Sequence, residues 1–169
     1  MQISNRKISV VIPAYNSEKT IRRCLEAIKQ QSLPPLEVIV VDDHSTDRTA
    51  LIAKDWAMAI PNIRKKGAGG ARNTGASMAK GEIIAFIDSD CIAPSDWLEK
   101  ISAAFEEEGV GAVAGGYSVN EGETFISKFA FLELTRRRNR FPDYVETAVS
   151  SNFAVRSELY EKVGGFPEL

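Results

Sequence analysis

Histidine and cysteine are nearly missing: of 169 residues, one is His and two are Cys. Cys24 and Cys91 lie far apart, with no Cys-x-x-Cys spacing and only His44 as an imidazole, which argues against both a zinc site and a disulfide framework. Two unpaired thiols suit a reducing compartment. No apolar run approaches the ~18 residues of a membrane span. The short N-terminal apolar stretch, broken by Pro13, does not have the form of a signal peptide. The expectation is a cytoplasmic protein. Neither sign of charge dominates, for the net charge is −2; there is no global attraction to nucleic acid, and a partner must be recognised by a local site. Internal repeats and low-complexity linkers are absent too. What remains, 44% hydrophobic and 26% charged residues, is ordinary for a globular chain, and the length suits one full-sized core rather than two.

Within that composition one stretch stands out: Ile83-Ile84-Ala85-Phe86-Ile87-Asp88-Ser89-Asp90. Its apolar run reads as a strand covered on both faces, as in a parallel sheet. Two carboxylates follow at its carboxyl end, the edge where open α/β sheets bind ligands. Like charges placed together there need donors or a cation to compensate them, and a hard divalent metal, which takes oxygen ligands, is the sharpest explanation. Asp-x-Asp alone is also a common turn and cap sequence, so its weight depends on the rest of the chain.

Residues Ile8 to Ile12 form a first strand signal, closed by Pro13 and followed by the loop Pro13-Ala14-Tyr15-Asn16. Ser17 is a plausible cap for a helix with Ile21, Cys24, Leu25 and Ile28 on one face. Glu37 to Val41 is a second buried strand, and it too ends in acid, Asp42-Asp43-His44-Ser45-Thr46-Asp47. Ser45 suits a cap, the helix after it showing Ile52, Ala53, Trp56, Ala59 and Ile60 on its apolar face. Asp47 then compensates the helix dipole, whereas Asp43 faces the crevice. Asn62 to Lys65 is a short third strand at best. The glycine-rich run Gly67 to Gly75 opens a helix with Ala71, Thr74, Gly75 and Met78 inward; lacking a Gly-Lys-Ser/Thr ending, it is a weak phosphate motif. Arg72 within it is a phosphate or base contact, or an arginine covering the helix.

A helix beginning at Pro94-Ser95 turns Trp97, Leu98, Ile101, Ala104 and Phe105 to one side. Val110 to Val119 is a further strand, in which Gly115-Gly116 leaves room for something to lie against the backbone. Phe125 to Leu134 is aromatic-rich and is followed by the basic run Arg136 to Arg140. It reads either as a surface for an anionic membrane or lipid phosphate, or as a helix buried under other chain with a solvated basic end. Asn152 to Val155 is a short strand, Ser157 caps a helix through Val163, and Gly164-Gly165 stops it.

Alternating strands and helices with acids after two of the strands describe a doubly wound, mostly parallel α/β sheet flanked by helices in three α/β/α layers. The motifs Val10-Val11-Ile12-Pro13-Ala14-Tyr15-Asn16, Val40-Val41-Asp42-Asp43-His44-Ser45-Thr46-Asp47, Ala71-Arg72-Asn73-Thr74-Gly75, and Ala79-Lys80-Gly81-Glu82 running into Phe86-Ile87-Asp88-Ser89-Asp90 closely resemble those of family 2 glycosyltransferases of the GT-A (Rossmann-like) fold. Asn152-Phe153-Ala154-Val155-Arg156 and Val163-Gly164-Gly165-Phe166 look like that family's following block.

The resemblance implies a nucleotide-diphosphate sugar as donor, a UDP-sugar foremost, and metal-assisted, inverting transfer to an acceptor hydroxyl on a saccharide or a lipid-linked sugar. Pro13, Ala14, Tyr15 and Asn16 match the loop that holds the nucleoside, and Asp43 matches the carboxylate that binds the base. Arg72, Asp88 and Ser89 join the nucleotide site. Asp90, with Asp88, matches the pair that places Mg²⁺ or Mn²⁺ on the diphosphate. The family's general base and acceptor segment are expected beyond Leu169, so residues 1–169 read as a single GT-A nucleotide-sugar-binding domain that stops before both. Asp96, Glu121 and Glu168 are the carboxylates to mutate first if a base lies within the chain. The competing reading is a truncated, non-catalytic nucleotide-sugar-binding module. A nucleotidyltransferase would want an Arg-containing, glycine-rich loop after the first strand, and an Asp-nucleophile phosphatase would want its Asp-x-Asp there. Peripheral contact with the inner face of a membrane, and self-association through Phe125 to Phe131, are further expectations.

Overall fold

The computed structural model describes residues 6–64, 66–116 and 151–168. Its elements are β1 (Ile8–Ala14), α1 (Ile21–Lys29), β2 (Glu37–Asp42), α2 (Thr49–Lys54), β3 (Met58–Pro61), α3 (Ala68–Met78), β4 (Ile83–Ile87), α4 (Trp97–Ala104), β5 (Ala112–Ala114), β6 (Asn152–Arg156) and α5 (Ser157–Val163). The sheet runs β3-β2-β1-β4-β6-β5. Strands β1 to β4 are mutually parallel, and β6 is antiparallel to both β4 and β5. The sheet is therefore mostly parallel, with a reversed strand beside β4.

Side chains alternate across a strand with period two, and the buried residues divide accordingly. Val10, Ile12, Val40, Ala85 and Ile87 meet Ile21, Cys24, Leu25 and Ile28 of α1, Ala53 of α2 and Leu98 and Ile101 of α4. Val11, Ile39, Val41, Ile84 and Phe86 meet Ala71 of α3 and Tyr160 of α5 on the opposite face. These are the three expected layers. Gly75 lets α3 sit against the sheet, because a Cβ there would collide with Val11 and lie 3.0 Å from Val41 Cγ2. Ser9 is fully buried in β1 and still satisfied: its hydroxyl donates to Glu37 Oε1 at 2.6 Å and accepts from the Gly81 amide at 2.8 Å.

Several boundaries differ from the sequence reading. The third strand is Met58–Pro61, not Asn62 to Lys65, and α2 ends at Lys54. Pairing of Met58, Ala59 and Ile60 with Ile39, Val40 and Val41 draws Ala59 and Ile60 out of the helix. Met78 is 46% exposed at the end of α3 rather than inward. Of Val110 to Val119, only Ala112–Ala114 forms strand, and residues 117–119 lie outside the described part. The space at Gly115 is taken by the Asn152 side chain.

The three serines read as caps make no side-chain cap, because each hydroxyl has a partner elsewhere. Ser17 Oγ lies 2.8 Å from Ser89 Oγ, Ser45 Oγ accepts from the Asn16 amide, and Ser157 Oγ donates to the Gly81 carbonyl. Asp47 does sit at the start of α2, where its carboxylate accepts from the Thr49 amide and also from that of Glu18. Phe125 to Leu134, Arg136 to Arg140 and Glu121 lie outside the described residues. Among the described residues no helix is long and apolar enough to cross a membrane.

Candidate functional site

A cleft of about 450 Å³ opens at the carboxyl ends of β1, β2 and β4, within the size range of small-molecule sites. Pro13, Ala14, Tyr15 and Asn16 enter it from the loop after β1, and Asp43 from the loop after β2. Ala68, Ala71 and Arg72 come from the first turns of α3, and Asp88, Ser89 and Asp90 from the loop after β4. Every residue assigned to the nucleotide or the metal thus lines one cavity. Ser17 and Thr20 line it as well; the sequence reading had spent Ser17 on a cap and left Thr20 unassigned.

The loops forming the cleft are tied to one another. Asn16 adopts a left-handed φ of 47°, a conformation Asn tolerates better than most side chains. Its Oδ1 accepts from the Thr46 amide at 2.8 Å while its own amide donates to Ser45 Oγ at 2.9 Å. The exits of β1 and β2 are thereby joined, and His44, at φ 65°, makes the matching turn. Tyr15 keeps its ring half exposed beside the cavity, with Lys66 Nζ 5.0 Å from the ring centroid.

Asp43 is only 6% exposed, and its charge is met by donors. Asn62 Nδ2 donates to Oδ1 at 2.7 Å and the Gly67 amide donates to Oδ2 at 2.8 Å. Asn62 is oriented in turn by Thr74, whose hydroxyl donates to Asn62 Oδ1 at 2.7 Å. Sequence reasoning missed Asn62 by placing it in a strand; its polarity between a strand end and a glycine was the available signal.

The acidic pair is treated asymmetrically. Arg72, 6% exposed, donates from Nη2 to Asp88 Oδ1 at 2.6 Å, while the Arg72 Nε is buried without a partner. Asp90 is exposed at the cleft edge. Cys24 Sγ lies 3.6 Å from the Asp88 carbonyl oxygen, which also accepts from the Cys91 amide at 3.0 Å. Burial, then the nearness of Cys91, Asp90 and Asp88, pushes the Cys24 thiol up to about 12. Burial and the same two acids push Cys91 up to about 11. Both thiols are therefore neutral at neutral pH, and neither is poised as a thiolate nucleophile.

Among the described residues no three His, Cys, Asp or Glu side chains gather closely enough to enclose a metal. An exposed Asp90 with Asp88 beside it fits a hard cation that takes one or two carboxylates and completes its shell from phosphate oxygens and water. Of the carboxylates proposed as a base, Asp96 and Glu168 stand apart from the cleft lining. Asp96 Oδ2 pairs with Lys100 at 2.8 Å, and that hydrogen bond lowers its pKa. Glu168 Oε1 accepts from Asn73 Nδ2 at 2.8 Å and lies 3.4 Å from Arg64.

The model of the family described as "Glycosyl transferase family 2" matches residues 9–164. This chain belongs to glycosyl transferase family 2. It is 33% identical to glycosyltransferase AglE of Haloferax volcanii over 95% of its length, and 38% identical to glycosyltransferase GlyG of Streptococcus pneumoniae over 65%. The chain spans 56% and 38% of those two proteins. Among solved structures, mannosyltransferase PcManGT of Pyrobaculum calidifontis, in complex with GDP-Man and Mn²⁺, superposes with a TM-score of 0.78 at 27% identity, covering 96% of this chain and 48% of the other. S. aureus TarS in complex with UDP-GlcNAc gives 0.71 at 25% identity, covering 96% and 49%. The GT-A glycosyltransferase fold is thus shared with structures holding nucleotide sugars.

Proposed function

We propose that residues 1–169 form one donor-binding domain of a glycosyltransferase that takes a sugar from a nucleotide-diphosphate sugar, a UDP-sugar foremost, and transfers it with inversion to a saccharide or lipid-linked acceptor hydroxyl. The observation that carries the reading is the meeting of Tyr15, Asp43 and the Asp88–Asp90 pair in one cleft at the carboxyl ends of three parallel strands. In this reading the Tyr15 ring offers its open face to a base, and Asp43, fixed by Asn62 and Gly67, accepts a hydrogen bond from a base N–H. Ser17, Thr20 and Ser89 supply neutral polar contacts along the floor. Arg72 holds Asp88 while Asp90 is free to meet the diphosphate side. Mg²⁺ or Mn²⁺ bound there would neutralise the diphosphate and stabilise it as a leaving group.

Calorimetry with UDP tests this directly. Binding is expected with Mn²⁺ or Mg²⁺ and is expected to fall away in chelator, because the acids and the diphosphate otherwise repel each other. Asp90→Ala should erase that difference. Equal affinity with and without metal would sink the metal assignment. A second reading, a nucleotide-sugar-binding module without transfer, draws support from Asp96 and Glu168, which are engaged away from the cleft. A radiolabelled-donor assay against sugar and polyprenyl-phosphate acceptors separates the two: turnover establishes the enzyme, and binding without turnover the module.

A further inference from the structure

Two consecutive residues of α3 face different ways. Arg72 lines the cleft and donates to Asp88. Asn73, 6% exposed, faces the chain around residues 160–168. Its Oδ1 accepts from the Tyr160 hydroxyl at 2.6 Å and from the Phe166 amide at 2.9 Å. Its Nδ2 donates to the Phe166 carbonyl at 2.9 Å and to Glu168 Oε1 at 2.8 Å. Every hydrogen-bonding position of a carboxamide is therefore filled, and both backbone groups of Phe166 are held by one side chain. The contact is close throughout. A Cβ on Gly165, which sits at φ 79°, would lie 2.5 Å from Asn73 Oδ1, and one on Gly69 would lie 2.5 Å from the Pro167 carbonyl oxygen.

Phe166 returns to the cleft through its ring. The Arg72 guanidinium carbon stands 5.5 Å from the ring centroid, and the ring is itself set among Phe86, Phe153 and Tyr160 at centroid distances of 5.2, 6.1 and 5.8 Å. Because Arg72 Nε has no partner, the guanidinium takes its direction from the Asp88 bond and from this ring. Ala71, Thr74 and Gly75 of the same helix are buried as well, and Ala71 packs in one apolar cluster with Tyr160 and Phe166.

We propose that Asn73 is a positioning residue: by fixing Phe166 it sets Arg72, and through Arg72 the direction of Asp88, so that the segment from Gly164 to Glu168 is coupled to the acidic end of the cleft. The coupling is a matter of geometry alone; its effect on ligand rests on the nucleotide reading above.

The test uses the full chain, with Asn73→Asp, which keeps the shape but removes both donations, and Phe166→Leu, which keeps apolar bulk but removes the ring face. Nitrogen-15 spectra of the Arg72 guanidinium, without ligand, should show faster rotation in each variant. Affinity for UDP with Mn²⁺ should fall by about 2- to 30-fold in Phe166→Leu, the range for a lost cation–π contact. It should fall at least as far in Asn73→Asp. The double variant should be no weaker than the worse single one, since two changes on one route do not add. Unchanged guanidinium rotation, or losses that multiply in the double variant, overturns the proposal. If Asn73→Asp does not fold, Phe166→Leu decides the guanidinium measurement. If the unsubstituted chain does not bind UDP with Mn²⁺, the nucleotide reading fails by itself and rotation still decides the coupling.

Discussion

Asp43 shows how much one side chain can be asked to do. It is buried, it holds Asn62 and the Gly67 amide, and in the proposed function it also receives a base. Asp43→Ala should weaken binding of a nucleoside diphosphate by about 1.5–3 kcal/mol, the scale of a hydrogen bond to a charged group. Inorganic diphosphate should bind as before, because it has no base to lose. Titrations in which both ligands weaken equally would mean that Asp43 acts through the fold or the metal. The candidate acids were legible in the sequence because each follows a run of buried strand residues, and chemistry at a strand end needs little tertiary information to be suspected. Asn62 and Asn73 were not read as functional for the opposite reason. Their meaning lies in partners 19 and 93 residues away; the polarity of Asn62 at a strand end marks the residue but not its partner.

At the scale of elements, β1, β2 and β4 were readable from β-branched runs that no amphipathic helix would produce. The short α2 and β3 were not, since Ala59 and Ile60 fit a helix face as well as an edge strand and only pairing with β2 decides between them. Serine was misread consistently: Ser17, Ser45 and Ser157 have the composition of caps but join one loop to another. Ser9 makes the same kind of link inside the sheet, bridging Glu37 at the start of β2 and Gly81 before β4. Ser9→Ala should therefore cost about 1–3 kcal/mol, the penalty for leaving a buried donor unmet. Urea denaturation measures it, and a loss below ~0.5 kcal/mol, as for a surface change, would show that water or a shifted backbone replaces the hydroxyl.

The whole molecule carries a distinctive response to alkali. Cys24 and Cys91 rise from an ordinary 9.0 to about 12 and about 11, and Tyr160, chiefly through burial, from 10.0 to about 12. Below about pH 8 all three are essentially neutral in folded and unfolded chains alike and add little slope. Above it the unfolded chain releases protons that the folded chain keeps, so stability falls as pH rises from about 8 towards 12, with Cys24 alone contributing up to about 1.4 kcal/mol per pH unit. Urea midpoints that stay level between pH 8 and pH 11 would contradict this.

Strand β1 has a consequence of another kind. It is buried along its whole length, bonded to β2 on one side and β4 on the other, and it ends directly beneath the cleft. In heavy water its amides should be the last to take up deuterium, opening only when the entire chain does, whereas β3, at the sheet edge with exposed ends, should label early. Equal labelling of β1 and β3 would refute that order. An incoming ligand would then slow labelling in the loops after β1 and β4 and in β1 as well, because a strand that opens only with the whole chain gains all of the stability that binding adds.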